Sequence, residues 1–206
     1  MSSALDQSTY QVRFDWGIAG LRRLAASDVV IVVDVLGLSA DALAAAARGE
    51  DLVPAGADGG ALVARAAGEL AHGPVVLVAA LRNAAAAART AMAEQERRGV
   101  RTSIAVVAAG EPEESGLRFA VEDQLGAGAV IAALGDLGID HCSPEAVSTA
   151  EAFRALRRAM KHLLTASGSG RALAGGERHS EVREAARLDD LALVPTLDRG
   201  AFRVVR

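Results

Sequence analysis

The sequence predicts an α/β fold, in which a mostly parallel sheet lies between two layers of helices in a three-layer α/β/α arrangement, with a helical C-terminal part. Continuous β-branched runs, such as residues 29–35, are typical of strands buried on both faces of a parallel sheet. Ala-rich segments of helical length alternate with these runs. The apolar residues are mostly Ala, Val and Leu, with 3% aromatics, and such small side chains allow helices to pack closely on a sheet.

The elements of the N-terminal two thirds follow from these patterns. We expect strands at residues 10–15, 29–35, 51–54, 74–79 and 102–108, and helices at 18–25, 40–48, 61–70, 84–98 and 119–134. Ser39 and Asn83 each precede a helix-forming segment, so we expect their side chains to cap helices. Gly49 and Gly99 end helices. Residues 110–116 are acidic and are expected to be irregular.

The pattern changes after residue 140. Ser143-Pro144 is expected to open a helix that runs to about residue 166, because proline is favoured at the first helical position. A Gly/Ser-rich turn at 167–170 and two shorter helices follow, and two short strands flank a turn at 198–200. The length predicts one domain over residues 1–206, with the sheet core at 10–140 and a helical portion at 141–206.

Composition excludes several classes of protein. The net charge of −4 and the absence of basic runs disfavour nucleic-acid and membrane-surface partners. Cys142 is the only cysteine, which excludes an internal disulfide and disfavours a zinc–thiolate site. No P-loop motif is present. The first ten residues lack signal-peptide features, so a cytoplasmic location is expected.

Asp34 is the first candidate site residue. It lies near the carboxyl end of the most apolar predicted strand and shortly before a helix N-terminus, which favours anions. A carboxylate beside an anion site is explained by a bridging cation, and Mg²⁺ prefers oxygen ligands and is often shared with substrate phosphate. The alternative is that Asp34 only caps a loop or pairs with an arginine.

Glu122 and Asp123 form the second candidate, because adjacent acids near a helix start can border one cleft. The alternative is that they only stabilise the helix N-terminus. Ligands of open α/β sheets bind beyond the carboxyl ends of the strands, where Asp34 is also expected.

Several ordered segments resemble the 2-phosphosulfolactate phosphatase (ComB-like) family of magnesium-dependent phosphatases. The segments are Phe14-Asp15-Trp16-Gly17, Val32-Val33-Asp34-Val35-Leu36, Leu81-Arg82-Asn83-Ala84, Ala108-Ala109-Gly110-Glu111, Val121-Glu122-Asp123, Gly126-Ala127-Gly128-Ala129, Ser143-Pro144-Glu145-Ala146, Ser167-x-x-Gly170, and the end Leu188-Asp189 with Val194-Pro195. The resemblance implies Mg²⁺-dependent hydrolysis of a small anionic phosphomonoester such as 2-phospho-3-sulfolactate. It implies that Asp34, Glu122 and Asp123 are the catalytic and metal-binding residues. It also implies that substrate is bound by Ser39, Gly59, Asn83, Gly110 and Arg118, with Arg82 as a further positive group.

Two departures from the family pattern leave an alternative open. The family's first motif continues with an arginine and threonines, whereas this chain has Gly37-Leu38-Ser39-Ala40. A central family segment is also missing between Pro54 and Ala55. The alternative is a catalytically impaired relative that binds a small anion or a protein partner without turnover. A shortened sheet exposes edges, so a homodimer is a further expectation.

Overall fold

The computed structural model describes residues 3–174 and 179–204, and six strands of this part form the main sheet. The strands are β1 (Val12–Trp16), β2 (Val29–Val33), β3 (Val75–Ala79), β4 (Ile104–Ala108), β7 (Pro195–Asp198) and β8 (Ala201–Val204). Their order across the sheet is β1-β4-β2-β3-β7-β8. The short strands β5 (Glu111–Glu113) and β6 (Gly116–Arg118) form a separate antiparallel hairpin.

Strands β1, β4, β2 and β3 are parallel, and β7 and β8 extend the sheet as an antiparallel hairpin beside β3. Strand β2 is bonded on both sides, with Val33 opposite Ala79 of β3 and Ala108 of β4. All five residues of β2 are buried, as the continuous β-branched run predicts. The carboxyl ends of β2 and β4 therefore lie side by side at one edge of the sheet.

Helices cover both faces of the sheet. The helices are α1 (Gly17–Arg23), α2 (Leu38–Arg48), α3 (Gly59–Gly68), α4 (Ala84–Arg98), α5 (Val121–Asp136), α6 (Pro144–Leu156), α7 (Met160–Ala166), α8 (Gly168–Ala174) and α9 (His179–Ala185). One apolar cluster joins Val30 and Val32 to α1, α3 and Phe202. The other joins Ile31 and Val33 to α4, α5 and α6. These two clusters confirm the three-layer prediction.

Three predicted local features are wrong. Residues 51–54 form only a bridge, in which Leu52 and Phe202 exchange two hydrogen bonds, and Pro54 has no N–H to continue it. The acidic exit of β4 is not irregular but forms the β5–β6 hairpin. The Gly/Ser turn is helix α8, because the Ser167 hydroxyl accepts a hydrogen bond from Gly170 N–H and starts the helix there.

The predicted caps also differ. Gly37, not Ser39, precedes the first helical residue of α2, and the Asn83 side chain bonds back to Ala80 N–H rather than into α4. The Ser143 cap is confirmed, since its hydroxyl accepts a hydrogen bond from Ala146 N–H at 3.1 Å. Across residues 3–174 and 179–204, no helix has the length and apolarity needed to cross a bilayer.

Candidate active site

A cavity of about 180 Å³ lies beyond the carboxyl ends of β2 and β4. The N-terminal ends of α2, α3 and α5 all border it, as expected for a site at the carboxyl edge of a parallel sheet. Five carboxylates line the cavity, and the lining residues are Asp34, Leu36, Gly37, Asp58, Gly59, Gly110, Glu111, Ala120, Glu122, Asp123 and Ser169. The structure thus brings together the three acids that the sequence selects.

Asp34 follows β2 directly, and its carboxylate is enclosed by backbone. Leu38 N–H, at the start of α2, donates a hydrogen bond of 2.9 Å to Asp34 Oδ2. A side-chain carbon at either Gly37 or Gly60 would collide with the Asp34 carboxylate, so glycine is required at both positions. Burial, followed by the charges of Asp58 and Glu111, raises the pKa of Asp34 to about 7.

The Asp123 carboxylate connects the segments that follow two neighbouring strands by hydrogen bonds. Its side chain is 2% exposed. It accepts hydrogen bonds from Val35 N–H, after β2, at 2.8 Å and from Gly110 N–H, after β4, at 3.0 Å. Burial, and then the charge of Asp34, raises the pKa of Asp123 well above its ordinary value. Each carboxylate oxygen retains a second lone pair that can face the cavity.

Glu122 is 3% exposed and lines the same cavity. In the described part of the chain, no residue donates a hydrogen bond to its carboxylate or forms an ion pair with it. Its oxygens are not among the fully enclosed polar atoms without a partner, so they reach the space of the cavity, where a cation can offset their charge. Among the described acids of the cavity, Glu122 therefore has the carboxylate most available to a cation.

The sequence does not single out Asp58 and Glu111, which lie at the rim of the cavity. Asp58 is the N-cap of α3, with Ala61 N–H donating to its Oδ1 at 2.8 Å. Glu111 begins the hairpin directly beyond the exit of β4. The signals that point to them are an Asp three residues before a helical run and an acid directly after a strand.

Two of the predicted substrate-binding glycines lie at the cavity. A side chain at Gly59 would collide with Gly110 O, so the two backbones touch here. Gly110 has a φ of +61°, a conformation that favours glycine. This close approach places the start of α3 against the exit of β4.

Two predicted substrate-binding side chains lie outside the cavity. The buried Ser39 hydroxyl accepts a hydrogen bond from Asp34 N–H at 2.9 Å and donates one to Ala79 O at 2.8 Å. Asn83 is also buried, and its amide bonds Ala80 N–H, Val78 O and Leu193 O. Both side chains therefore hold strand ends in place.

The two arginines selected by the sequence have different surroundings. Arg118, at the end of β6, donates a hydrogen bond of 3.0 Å to Ser169 Oγ, which lines the cavity. Arg82 lines a different cavity and forms two hydrogen bonds of 2.9 Å with Asp190. Arg118 is thus close to the candidate site, and Arg82 is neutralised elsewhere.

The cavity's donors fit a hard divalent cation, because they are carboxylate oxygens. Among the residues that the structure describes, no three His, Cys, Asp or Glu side chains converge closely enough to enclose an ion on their own. Mg²⁺ does not require such an enclosure, since it keeps several waters and is often bound by one or two carboxylates together with substrate phosphate. Glu122 and Asp34 would be those carboxylates, with Asp123 beside them.

A comparison with protein families identifies the chain. A family model described as 2-phosphosulpholactate phosphatase matches residues 43–200. The matched range contains Glu122, Asp123 and Gly110, and begins after Asp34. A search of curated proteins found no match. Because the family match covers well over half of the 206 residues, the chain belongs to the 2-phosphosulpholactate phosphatase family.

Proposed function

We propose that this protein is a magnesium-dependent phosphatase that hydrolyses a small anionic phosphomonoester of the 2-phosphosulfolactate type. The observation that carries the proposal is the buried Glu122 carboxylate. It lines a cavity with Asp34 and Asp123, two acids whose pKa values are raised, and no described residue neutralises it. Carboxyl groups with raised pKa values, gathered with an unpaired acid at the carboxyl edge of a parallel sheet, are typical of a ligand site.

Electrostatics supports a cation in this cavity. A phosphate group is repelled by the ionised acids of this cavity, so the substrate needs a counter-ion that the acids also bind. We assign this role to Mg²⁺, with Glu122 and Asp34 as the carboxylates that would hold it and Asp123 beside them, directly or through water. When bound, the ion would neutralise phosphate charge and lower the pKa of a bound water.

The protein's own groups would orient the phosphate. The N-terminal ends of α2, α3 and α5 border the cavity, and the helix dipoles favour an anion there. Gly59 and Gly110 would act indirectly, because their close contact fixes the start of α3 against the exit of β4. Arg118, whose guanidinium contacts Ser169 of the cavity, would supply a positive side chain for the anionic substrate.

A second candidate function is anion binding without turnover. No Lys or Arg is among the residues described as lining the cavity, and Gly37 stands where the resemblance implies an arginine. An arginine cannot replace Gly37 here without displacing Asp34, because even a Cβ at this position would collide with that carboxylate. This candidate predicts stabilisation by Mg²⁺ and phosphate together, without hydrolysis.

Phosphate release by the pure protein tests both candidates. We expect turnover of 2-phosphosulfolactate with Mg²⁺, and none when EDTA is present. Glu122→Gln should lower kcat/KM by about 100-fold or more, because the ion loses a charged ligand. Glu94→Gln is the matched control, since Glu94 is also shielded, at 11% side-chain exposure, but pairs with Arg97 and Arg98 on α4.

The outcomes separate the candidates. Turnover that EDTA leaves intact would contradict the magnesium proposal. A joint thermal shift with Mg²⁺ and phosphate but no turnover would favour the binding protein. No shift and no turnover would show that the acids are structural.

A further inference from the structure

We propose that Arg118, oriented by Ser169, binds the second acidic group of the substrate, the one that is not transferred. The pair would thereby select phosphomonoesters that carry a carboxylate or sulfonate in addition to the phosphate. This inference rests on the proposed function of the cavity, and it assigns a substrate contact to Arg118 and a positioning role to Ser169.

Arg118 lies beside the cavity and contacts one of its lining residues. It lies at the end of β6, and its Nη2 donates a hydrogen bond of 3.0 Å to Ser169 Oγ on α8. Its Nη1 lies 3.4 Å from the position of a Cβ at Gly168. The guanidinium thus connects the hairpin to a residue that lines the cavity.

The guanidinium retains unused binding capacity. The Arg118 side chain is 37% exposed, and its distances to Glu111 and Glu113 are 3.8 and 3.9 Å, which exceed hydrogen-bond length. In the described part of the chain, the bond to Ser169 is its one hydrogen bond. Most of its N–H donors can therefore bind an incoming acid, and their planar fork matches carboxylate and sulfonate oxygens.

Charge also directs a second acid to this position. The cavity wall is acidic, and a cation among its carboxylates would serve the phosphate. A further anionic group needs a different positive partner. Other arginines near the cavity's elements are occupied: Arg82 pairs with Asp190, and Arg65 donates to Pro54 O and Gly56 O.

The test compares two substrates in four proteins. The substrates are 2-phosphosulfolactate, which has further acidic groups, and phenyl phosphate, which has none. The proteins are the wild type, Arg118→Gln, Ser169→Ala and Arg154→Gln. For Arg118→Gln we expect the loss of kcat/KM to be about 10- to 100-fold greater with 2-phosphosulfolactate, as for a lost charged hydrogen bond.

Ser169→Ala should change the preference in the same direction by a smaller factor, because the guanidinium remains but is no longer oriented. Arg154→Gln should leave the preference unchanged. Arg154 is a matched control because it is 45% exposed and also lies 3.8 Å from an acid, Asp136, away from the cavity. An equal loss with both substrates in Arg118→Gln would overturn the inference and leave the phosphatase proposal intact.

A binding measurement covers the remaining case. If the wild type hydrolyses neither ester, the phosphatase proposal fails, and 3-sulfolactate, which lacks the phosphate, becomes the probe in titration calorimetry with Mg²⁺ present. We then expect the wild type to bind it at least about 10-fold more tightly than Arg118→Gln. Equal affinity, or no binding to the wild type, would overturn the inference.

Discussion

The Ser39 hydroxyl lies between the ends of two neighbouring strands. It accepts a hydrogen bond from Asp34 N–H, beyond β2, and donates one to Ala79 O, at the end of β3. The sequence predicts a helix cap here, and the resemblance implies a phosphate ligand. The contacts instead give Ser39 the role of fixing the backbone of Asp34 relative to the neighbouring strand.

Ser39→Ala should therefore affect both stability and metal use. Two buried backbone groups would lose their partner, which costs about 1 to 3 kcal/mol in the free energy of unfolding. Because Asp34 would no longer be fixed, we also expect the Mg²⁺ concentration for half-maximal phosphatase activity to rise. Urea unfolding and a magnesium titration of activity measure the two effects.

Ser143→Ala is the control for this variant. Ser143 is also fully buried, and its hydroxyl caps α6 far along the chain from the cavity acids. Its loss should cost about 0.5 to 2 kcal/mol without changing the magnesium requirement. An unchanged magnesium requirement in Ser39→Ala would show that Ser39 has only a structural role.

The candidate site can be predicted only in part at the level of residues. Asp34 is predictable because a charge after a buried strand lies at a known binding edge. Glu122 and Asp123 are predictable as acids at a helix start, although their separation from Asp34 is set by the fold. Ser169 is not predictable, since nothing in its local sequence indicates that α8 approaches the hairpin.

Among the elements, helix α5 carries the two acids Glu122 and Asp123 and packs closely against its neighbours on both sides. A Cβ at Gly126 would lie 2.5 Å from Val35 Cγ2, on the sheet side. A Cβ at Gly128 would collide with Thr149 O of α6 and lie 2.8 Å from Phe153 Cβ. A Cβ at Gly135, near the end of the same helix, would lie 3.6 Å from Arg154 Nη2, which is an ordinary van der Waals distance.

Gly-to-Ala substitutions in α5 should therefore have opposite effects. Gly128→Ala should lower the free energy of unfolding by about 1 to 3 kcal/mol, because backbone must move to admit the methyl group. Gly135→Ala should raise it by up to about 1 kcal/mol, because alanine favours the helix and the space is open. Urea unfolding of both variants checks this, and equal effects would contradict the packing described for α5.

Elements with strong local signals are predictable, and those that depend on distant contacts are not. Strand β2 and helix α4 follow from a β-branched run and an Ala-rich run. Strand β5 is exposed and acidic, and neither β5 nor β6 alternates apolar and polar residues. No hydrophobic pattern in the sequence therefore predicts that the two strands pair. The isolated bridge at Leu52 likewise depends on Phe202, which lies far away in the chain.

At the scale of the whole molecule, the fold gathers acids that are distant in sequence, and stability should depend on pH as a result. The ordinary pKa of Asp34 is 3.8, and in the folded protein it is about 7. Between these values the folded state holds a proton that the unfolded chain has lost. Rising pH therefore lowers the free energy of unfolding over this range, and Asp123 contributes in the same direction.

Asp34→Asn should flatten this decline. We expect the variant to exceed the wild type in stability at neutral pH when divalent cations are removed with EDTA. Asp190→Asn should instead lower the free energy of unfolding over this whole pH range without changing its slope, because the hydrogen bond from Arg82 lowers the pKa of Asp190 and its charged form stabilises the fold above the ordinary pKa. Urea unfolding across pH about 4 to about 7 measures both, and an unchanged slope in Asp34→Asn would contradict the expectation.

The fold class is predictable at this scale, but the order and direction of all the strands in the sheet are not. Alternating strands and helices predict parallel strands, which β1 to β4 confirm. The final two strands are also expected. Their antiparallel position beside β3 is not, since no local pattern specifies which edge receives them.

The β5–β6 hairpin pairs with no strand of the main sheet, and its Leu117 side chain lies against Gly17 and Gly110. The hairpin, whose Glu111 lines the cavity, is thus separate from the strands and helices that position Asp34, Glu122 and Asp123. Residues 112–115 are exposed, so we expect replacements there to leave the interior packing unchanged, whereas Gly116 has a φ of +140° that favours glycine. We expect a library randomised over residues 112–115 to alter which esters enter while the acids stay in place, which makes the hairpin the preferred segment for engineering new specificities.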